Sequence, residues 1–293
     1  EDIKVIRSLC DLPIDLHIIT DRPSKYYKLL EENPVEYITF QFEDLKEPLA
    51  IPSSVTGRKG IAVITPTAVS IFEDYKEFDF ILIMATIPGQ SGGKFDTVNF
   101  SKIREFRNAY PGKSIHVDGG VNPEVSFILR NMGVTSAVSG SYLFNAASVG
   151  NALMNLTKRT IESDYTVADF MIPLNESPVV QINELTLSNV LKTIDKGRLG
   201  FTLIIDEKGI SKGLISNADV RKCLLNNLDD LSKLNPIEMI NANPAEITDS
   251  STVIEMLQLI KYSSFPVTYL PVVSVDGFAK GIVTFVNLIK GEL

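Results

Sequence analysis

The first half of the chain alternates short apolar runs with amphipathic ones. Leu12 to Ile19, Val35 to Phe42, Lys59 to Thr65, Phe78 to Thr86, Ser114 to Val121 and Thr135 to Ser139 each read as a strand. Phe78 to Thr86 is apolar almost throughout, the pattern of a strand covered on both faces. Helical segments lie between them. One is opened by Asp21, Arg22 and Pro23 and runs through Glu31, a short one surrounds Ala68 to Tyr75, and another puts Phe100, Ile103, Phe106 and Tyr110 on one face. After the fifth strand Asn122 can cap a helix, Pro123 takes its first position, Val125, Ile128, Leu129 and Met132 share a face, and Gly133 can close it. Repeated βα units of this kind predict a parallel sheet with right-handed crossovers, and the absence of an antiparallel stretch favours a barrel. A closed barrel takes eight strands and typically about 250 residues. Six strands are legible over residues 1 to about 156, so this domain is expected to be two strands short of closure.

The pattern changes beyond residues 157 to 166, a polar and charged stretch that reads as a linker. Met171 and Met239, Gly209 and Gly277, Gly213 and Gly281, Ser216 and Thr284, and Asp219 and Asn287 are each separated by 68 residues. This is an internal repeat, with copies at about 167 to 232 and 233 to 293. Each copy predicts a hairpin whose turn ends in glycine, followed by a helix.

Composition narrows the function classes. With 22% charged and 44% hydrophobic residues over 293 positions, the chain reads as soluble and cytoplasmic, long enough for two cored domains, and no apolar run approaches the ~20 residues of a membrane span. A net charge of −8 without a basic patch argues against a nucleic-acid partner, so any phosphate must be held by local groups. The two cysteines, Cys10 and Cys223, fall in different halves and predict no disulfide framework.

The candidate chemistry sits in Ser114 to Val121, SIHVDGGV, where an apolar strand delivers Asp118 into Gly119 and Gly120. In barrels of parallel strands, chemistry collects where strands end and phosphate binds after the last two. The next strand runs into Gly140 and Ser141, whose amides and hydroxyl could join Gly119 and Gly120 around one anion.

These residues, together with DLHIITDRP at Asp15 to Pro23, ITFQFE at Ile38 to Glu43, MATIPGQSGGKF at Met84 to Phe95, Lys102 with Ile103, and VSGSYLF at Val138 to Phe144, resemble the ribulose-phosphate 3-epimerase family from its third strand onward. The resemblance implies a TIM (β/α)8-type barrel lacking its first two strands, and a divalent-metal-dependent epimerase acting at C3 of a pentulose phosphate. It implies His17 as a metal and substrate ligand, and Asp118 as both metal ligand and acid/base. Met84 would line the enediolate, and Gly89, Ser91, Gly92, Gly119, Gly120, Gly140 and Ser141 would hold the phosphate. Imidazole and carboxylate donors suit zinc, iron or manganese. The chain departs from the family at Ile19, Gln41, Gln90 and Ser91. The family's other two metal ligands and second acid/base precede Glu1, which leads to the expectation of a fragment inactive by itself.

The repeat resembles a tandem cystathionine-β-synthase-like (CBS) pair, carried by GLISNAD at Gly213 to Asp219 and GIVTFVN at Gly281 to Asn287. This implies an adenine nucleotide (AMP, ADP or ATP) with Ser216 and Thr284 on phosphate and Asp219 and Asn287 on ribose, and a homo-oligomer formed through the pair. Two functions follow: a metal-dependent epimerase with a nucleotide-sensing module, or an epimerase-like sugar-phosphate-binding regulatory protein that has lost turnover.

Overall fold

Each apolar run of the first half becomes a strand of one sheet. The computed structural model describes residues 2–86, 92–157 and 165–285, and the chain divides into two units, Glu1–Lys158 and Arg159–Leu293. The first unit runs α1 (Asp2–Leu9), β1 (Asp15–Ile18), α2 (Ser24–Glu32), β2 (Tyr37–Gln41), β3 (Arg58–Ile64), β4 (Phe80–Met84), α3 (Val98–Ala109), β5 (Ser114–Asp118), α4 (Pro123–Asn131), β6 (Ser136–Val138), α5 (Ser141–Phe144) and α6 (Val149–Thr157). The six strands are parallel and lie in chain order, β1-β2-β3-β4-β5-β6, as successive βα units require.

Alternation along the strands separates two apolar layers. Ile38, Phe40, Ile61, Val63, Ile81, Ile83, Ile115 and Val117 are buried on one face, with Phe100, Ile103 and Phe106 of α3 and Val125, Ile128 and Leu129 of α4 also in the core. The other face carries Tyr37, Ala62, Phe80, Leu82 and Met84, packed as a separate cluster. The Tyr37 and His116 rings have centroids 5.6 Å apart although they stand on β2 and β5. Three strand spacings in a flat sheet would part them by about 14 Å. The sheet therefore curls around this inner face as an open (β/α) barrel.

Local boundaries differ from the expectation in two places. β1 is confined to Asp15–Ile18 because only those residues pair with β2, leaving Leu12 and Ile19 exposed. The short helix after β3 is a 3-10 helix, Val69–Tyr75. Asn122 does cap α4, accepting from the Val125 N–H at 2.9 Å, and Gly133 ends that helix region with φ of 74°.

The second unit contains α7 (Val167–Phe170), β7 (Ile172–Pro173), β8 (Val179–Gln181), α8 (Leu187–Gly197), β9 (Phe201–Ile205), β10 (Ser211–Ser216), α9 (Asn217–Asn226), β11 (Ile247–Thr248), α10 (Val253–Tyr262), β12 (Tyr269–Val273) and β13 (Ala279–Thr284). Antiparallel hairpins β9–β10 and β12–β13 are the two copies of the repeat. Their leading segments are exchanged: β7, at the start of the first copy, pairs with β13, and Asn241, near the start of the second, bridges to Leu214 of β10. Gly213 and Gly281 permit this exchange. A Cβ on either would lie 2.0 Å from the carbonyl oxygen of Asn241 or Ile172 respectively. Thr166, within the expected linker, is the N-cap of α7, so the second unit's structure already begins there.

Candidate active site

Asp118 ends β5 on the inner face, in register with Met84 of β4 and Val138 of β6. Burial raises its carboxyl pKa above the ordinary value, and neighbouring Asp15 adds to the rise, while His17 and the Gly119 N–H hydrogen bond oppose it. His17 of β1 faces it across the barrel interior. Desolvation pulls the imidazole below its usual value, against the raising influence of Gln41, Asp118, Asp15 and Asp44. A carboxyl with raised proton affinity and a neutral imidazole thus share one half-buried space, an arrangement suited to holding and moving a proton.

Met84 is 5% exposed, belongs to the inner cluster and stands beside Asp118, its register partner. His116 lies one inward step below Asp118, buried, with its ring stacked 4.0 Å from Phe80.

The glycine residues form the rim. Gly119 has φ of 110° and Gly120 φ of 66°, and a Cβ would stand 2.3 Å from Thr86 Oγ1 or 2.2 Å from Phe95 N. Only glycine fits this turn. The Gly119 N–H is directed at the Asp118 carboxylate, so it orients the acid. Gly140 precedes the first residue of α5, Ser141, and Ser139 Oγ donates to the Val121 carbonyl at 2.8 Å, tying the two glycine loops together. Gly92 also has a positive φ, 87°. Gly89 and Ser91 lie outside the described residues.

A polar layer behind the site had no assigned role in the sequence. The Glu43 carboxylate accepts from Gln41 Nε2, from the Ile64 N–H at 3.0 Å and from Thr67 Oγ1. Lys102 of α3 donates from Nζ to the carbonyls of Ile64 at 2.5 Å and Thr65 at 3.1 Å. Desolvation lowers its pKa to about 8, with Glu43 opposing the shift. The helical spacing of Asn99, Lys102, Ile103 and Phe106 was the available signal, since a lysine on an apolar helical face must find partners.

His17 and Asp118 fit a divalent metal in donor type, and His17 Nε2 is buried without a partner of good geometry. Among the described residues no group of three or more His, Cys, Asp or Glu side chains converges to complete such a site.

In the second unit, Ser216 caps α9 and Asp219 closes the capping box: Asp219 Oδ2 accepts from Ser216 N at 2.8 Å and Ser216 Oγ at 2.6 Å. Tyr269 of the other copy hydrogen-bonds to Ser216, and its own pKa is raised by burial and then by Asp219. Asp219 also lines a cavity of about 310 Å³ with Lys222, Asn226 and Asn227. Thr284 ends β13, opposite Tyr269. Asn287 lies outside the described residues. Both cysteines are free.

A family model for the ribulose-phosphate 3 epimerase family matches residues 1–144. The ribulose-phosphate 3-epimerase of Methanocaldococcus jannaschii is 31% identical over 169 residues, covering 55% of this chain and 71% of that protein. The cytoplasmic isoform from Oryza sativa subsp. japonica is 29% identical over 164 residues, covering 53% of this chain and 72% of its own length. The chain belongs to the ribulose-phosphate 3-epimerase family through its first unit. Among solved structures, CBSX2 in complex with AMP is 26% identical, with a TM-score of 0.37, covering 44% of this chain and 96% of that one. Among the described residues no helix is long and apolar enough to cross a membrane.

Proposed function

We propose that the first unit epimerises a pentulose phosphate, ribulose 5-phosphate to xylulose 5-phosphate or a close relative, with Asp118 moving the proton on one face of C3. The observation that carries this reading is the half-buried Asp118 carboxyl at the end of β5, its proton affinity raised by burial, facing His17. A carboxyl so poised takes a proton from carbon and returns it more readily than a solvated one. Met84 supplies an apolar wall beside it, and Gly92, Gly120, Gly140 and Ser141, with Gly89 and Ser91, would hold the phosphate. His17 and Asp118 would hold a divalent metal, zinc, iron or manganese, which when bound polarises the substrate oxygens as the enediolate develops. The second unit would act as a CBS-type module that takes an adenine nucleotide at Ser216, Asp219, Thr284 and Asn287. The cavity beside Asp219 supports a ligand there. The test is conversion of ribulose 5-phosphate by the intact protein supplied with each metal in turn, with and without AMP.

A second reading is a sugar-phosphate-binding regulatory protein without turnover. It is favoured by the departures from the family pattern at Ile19, Gln41, Gln90 and Ser91. Binding of ribulose 5-phosphate without conversion under every metal would select it.

A further inference from the structure

We propose that Glu43 is a positioning residue that sets the tautomer of His17 through the side-chain amide of Gln41. Gln41 is 1% exposed and ends β2. Its Nε2 has two neighbours, Glu43 Oε2 at 2.5 Å and the Ala62 carbonyl oxygen at 3.5 Å. Both are acceptors, and a carboxylate and a main-chain carbonyl have no proton to donate. The amide therefore cannot turn over without placing its own oxygen against two oxygens. Its Oε1 is left on the opposite side, buried and without a hydrogen bond of good geometry.

His17 is a neighbour of the Gln41 side chain, on the adjacent strand and the same face. Its Nε2 is likewise buried and without a hydrogen bond of good geometry. A buried amide oxygen and a buried ring nitrogen on neighbouring side chains can satisfy one another in one way, with the proton on Nε2. The lone pair is then on Nδ1. A metal or a proton approaching His17 is accepted at that nitrogen, and the ring is held in one orientation by its other N–H, the part that outer partners play around ligating histidines.

Glu43 is itself fixed. The Ile64 N–H at 3.0 Å and Thr67 Oγ1 occupy its other oxygen, so both ends of the carboxylate are engaged. Lys102, which clamps the carbonyls of Ile64 and Thr65, brings a positive charge to the same region. The relay thus runs from the end of β3 through Glu43 and Gln41 to His17, and it acts before any ligand binds. It rests on the reading of His17 as a site residue, but its test reads the ring alone.

The experiment is a long-range proton–nitrogen correlation spectrum of the intact, metal-free chain at pH 8. With two histidines in the sequence, His116→Gln assigns the remaining ring to His17. The expected result is a single neutral tautomer with the proton on Nε2. In Glu43→Gln the replacement amide can donate or accept, Gln41 gains both orientations, and the His17 nitrogen shifts move toward the average of the two tautomers. Gln41→Met, which removes the acceptor, moves them the same way. A wild-type ring protonated on Nδ1 overturns the proposal. So does an unchanged Nε2–H tautomer in folded Glu43→Gln or Gln41→Met. Loss of turnover with the wild-type tautomer as expected would count against the proposed reaction and leave the relay standing.

Discussion

Asp15 and His116 stand on β1 and β5, yet Asp15 Oδ2 and His116 Nδ1 are 3.8 Å apart. Four strand spacings in a flat sheet come to about 19 Å. This pair therefore measures how far the sheet has closed on itself, and it lies two residues below the His17–Asp118 pair on the same face of the same two strands. The curvature that brings the first pair together brings the second together too. The site is a consequence of sheet closure, not of any local motif.

Closure depends on what fills the interior, and at Gly60 the filling leaves no room for a side chain. A Cβ there would sit 2.2 Å from the Phe80 ring, which stacks on His116. Gly60→Ala must displace that ring, and overpacking of this kind costs about 1–3 kcal/mol. A denaturant titration of the first unit's transition should show the loss, with Gly150→Ala, where a Cβ meets nothing within 4 Å, as a comparison without overpacking.

Asp118 should cost stability at neutral pH. Its folded pKa is raised above 3.8, so the stability linked to its protonation is present below 3.8 and lost as pH rises through the folded value. Asp118→Asn keeps the shape and removes the buried charge. A rise of about 2 °C in the first unit's melting temperature at pH 7 is expected, with little change at pH 3.5. A fall at pH 7 would show that the charge is stabilised by its partners more than burial opposes it.

Lys102 gives the opposite dependence at high pH. Its folded pKa of about 8 lies below the unfolded value of 10.5, so the unfolded chain holds the proton longer and stability grows as pH rises from about 8 to 10.5. Measured as a difference from wild type, Lys102→Met should lack this gain. Equal slopes for the two proteins across that window would mean the lysine is solvated.

The parallel sheet was legible because its strands are apolar on both faces, and Asp118 because a strand ran it into two glycines. Residues brought together by register were not. Gln41 and His17 are neighbours through the pairing of β1 with β2, and Glu43 reaches Ile64 and Thr67 across β3, contacts that no spacing along the chain encodes. The 68-residue repeat announced two hairpins, but the exchange of β7 and Asn241 between them rests on a two-residue strand and a single bridge, too short to carry a pattern. α1 also escaped notice. It is an eight-residue helix of about two turns without a buried side chain, too short for its apolar positions to stand out as a period.

Ser216 and Asp219 have a structural duty that complicates any nucleotide experiment. Asp219→Ala loses a capping box, which by itself lowers stability by about 1 kcal/mol. The informative quantity is the rise in melting temperature that millimolar AMP produces, not the melting temperature itself. Asp219→Ala should reduce that rise more than Asn287→Ala does. Asp169→Ala, which breaks the equivalent box with Thr166, should leave it intact. No rise in wild type with AMP, ADP or ATP would remove the nucleotide from the account.

The proposed reaction turns on Asp118 carrying a proton to and from C3. The most direct measurement is incorporation of solvent deuterium at C3 of ribulose 5-phosphate by the intact, metal-supplied protein, compared between wild type and Asp118→Asn. Exchange in wild type and a loss of about 10²-fold or more in Asp118→Asn is the predicted result, the size expected when a positioned acid/base is removed. Exchange in Asp118→Asn at near the wild-type rate would contradict it.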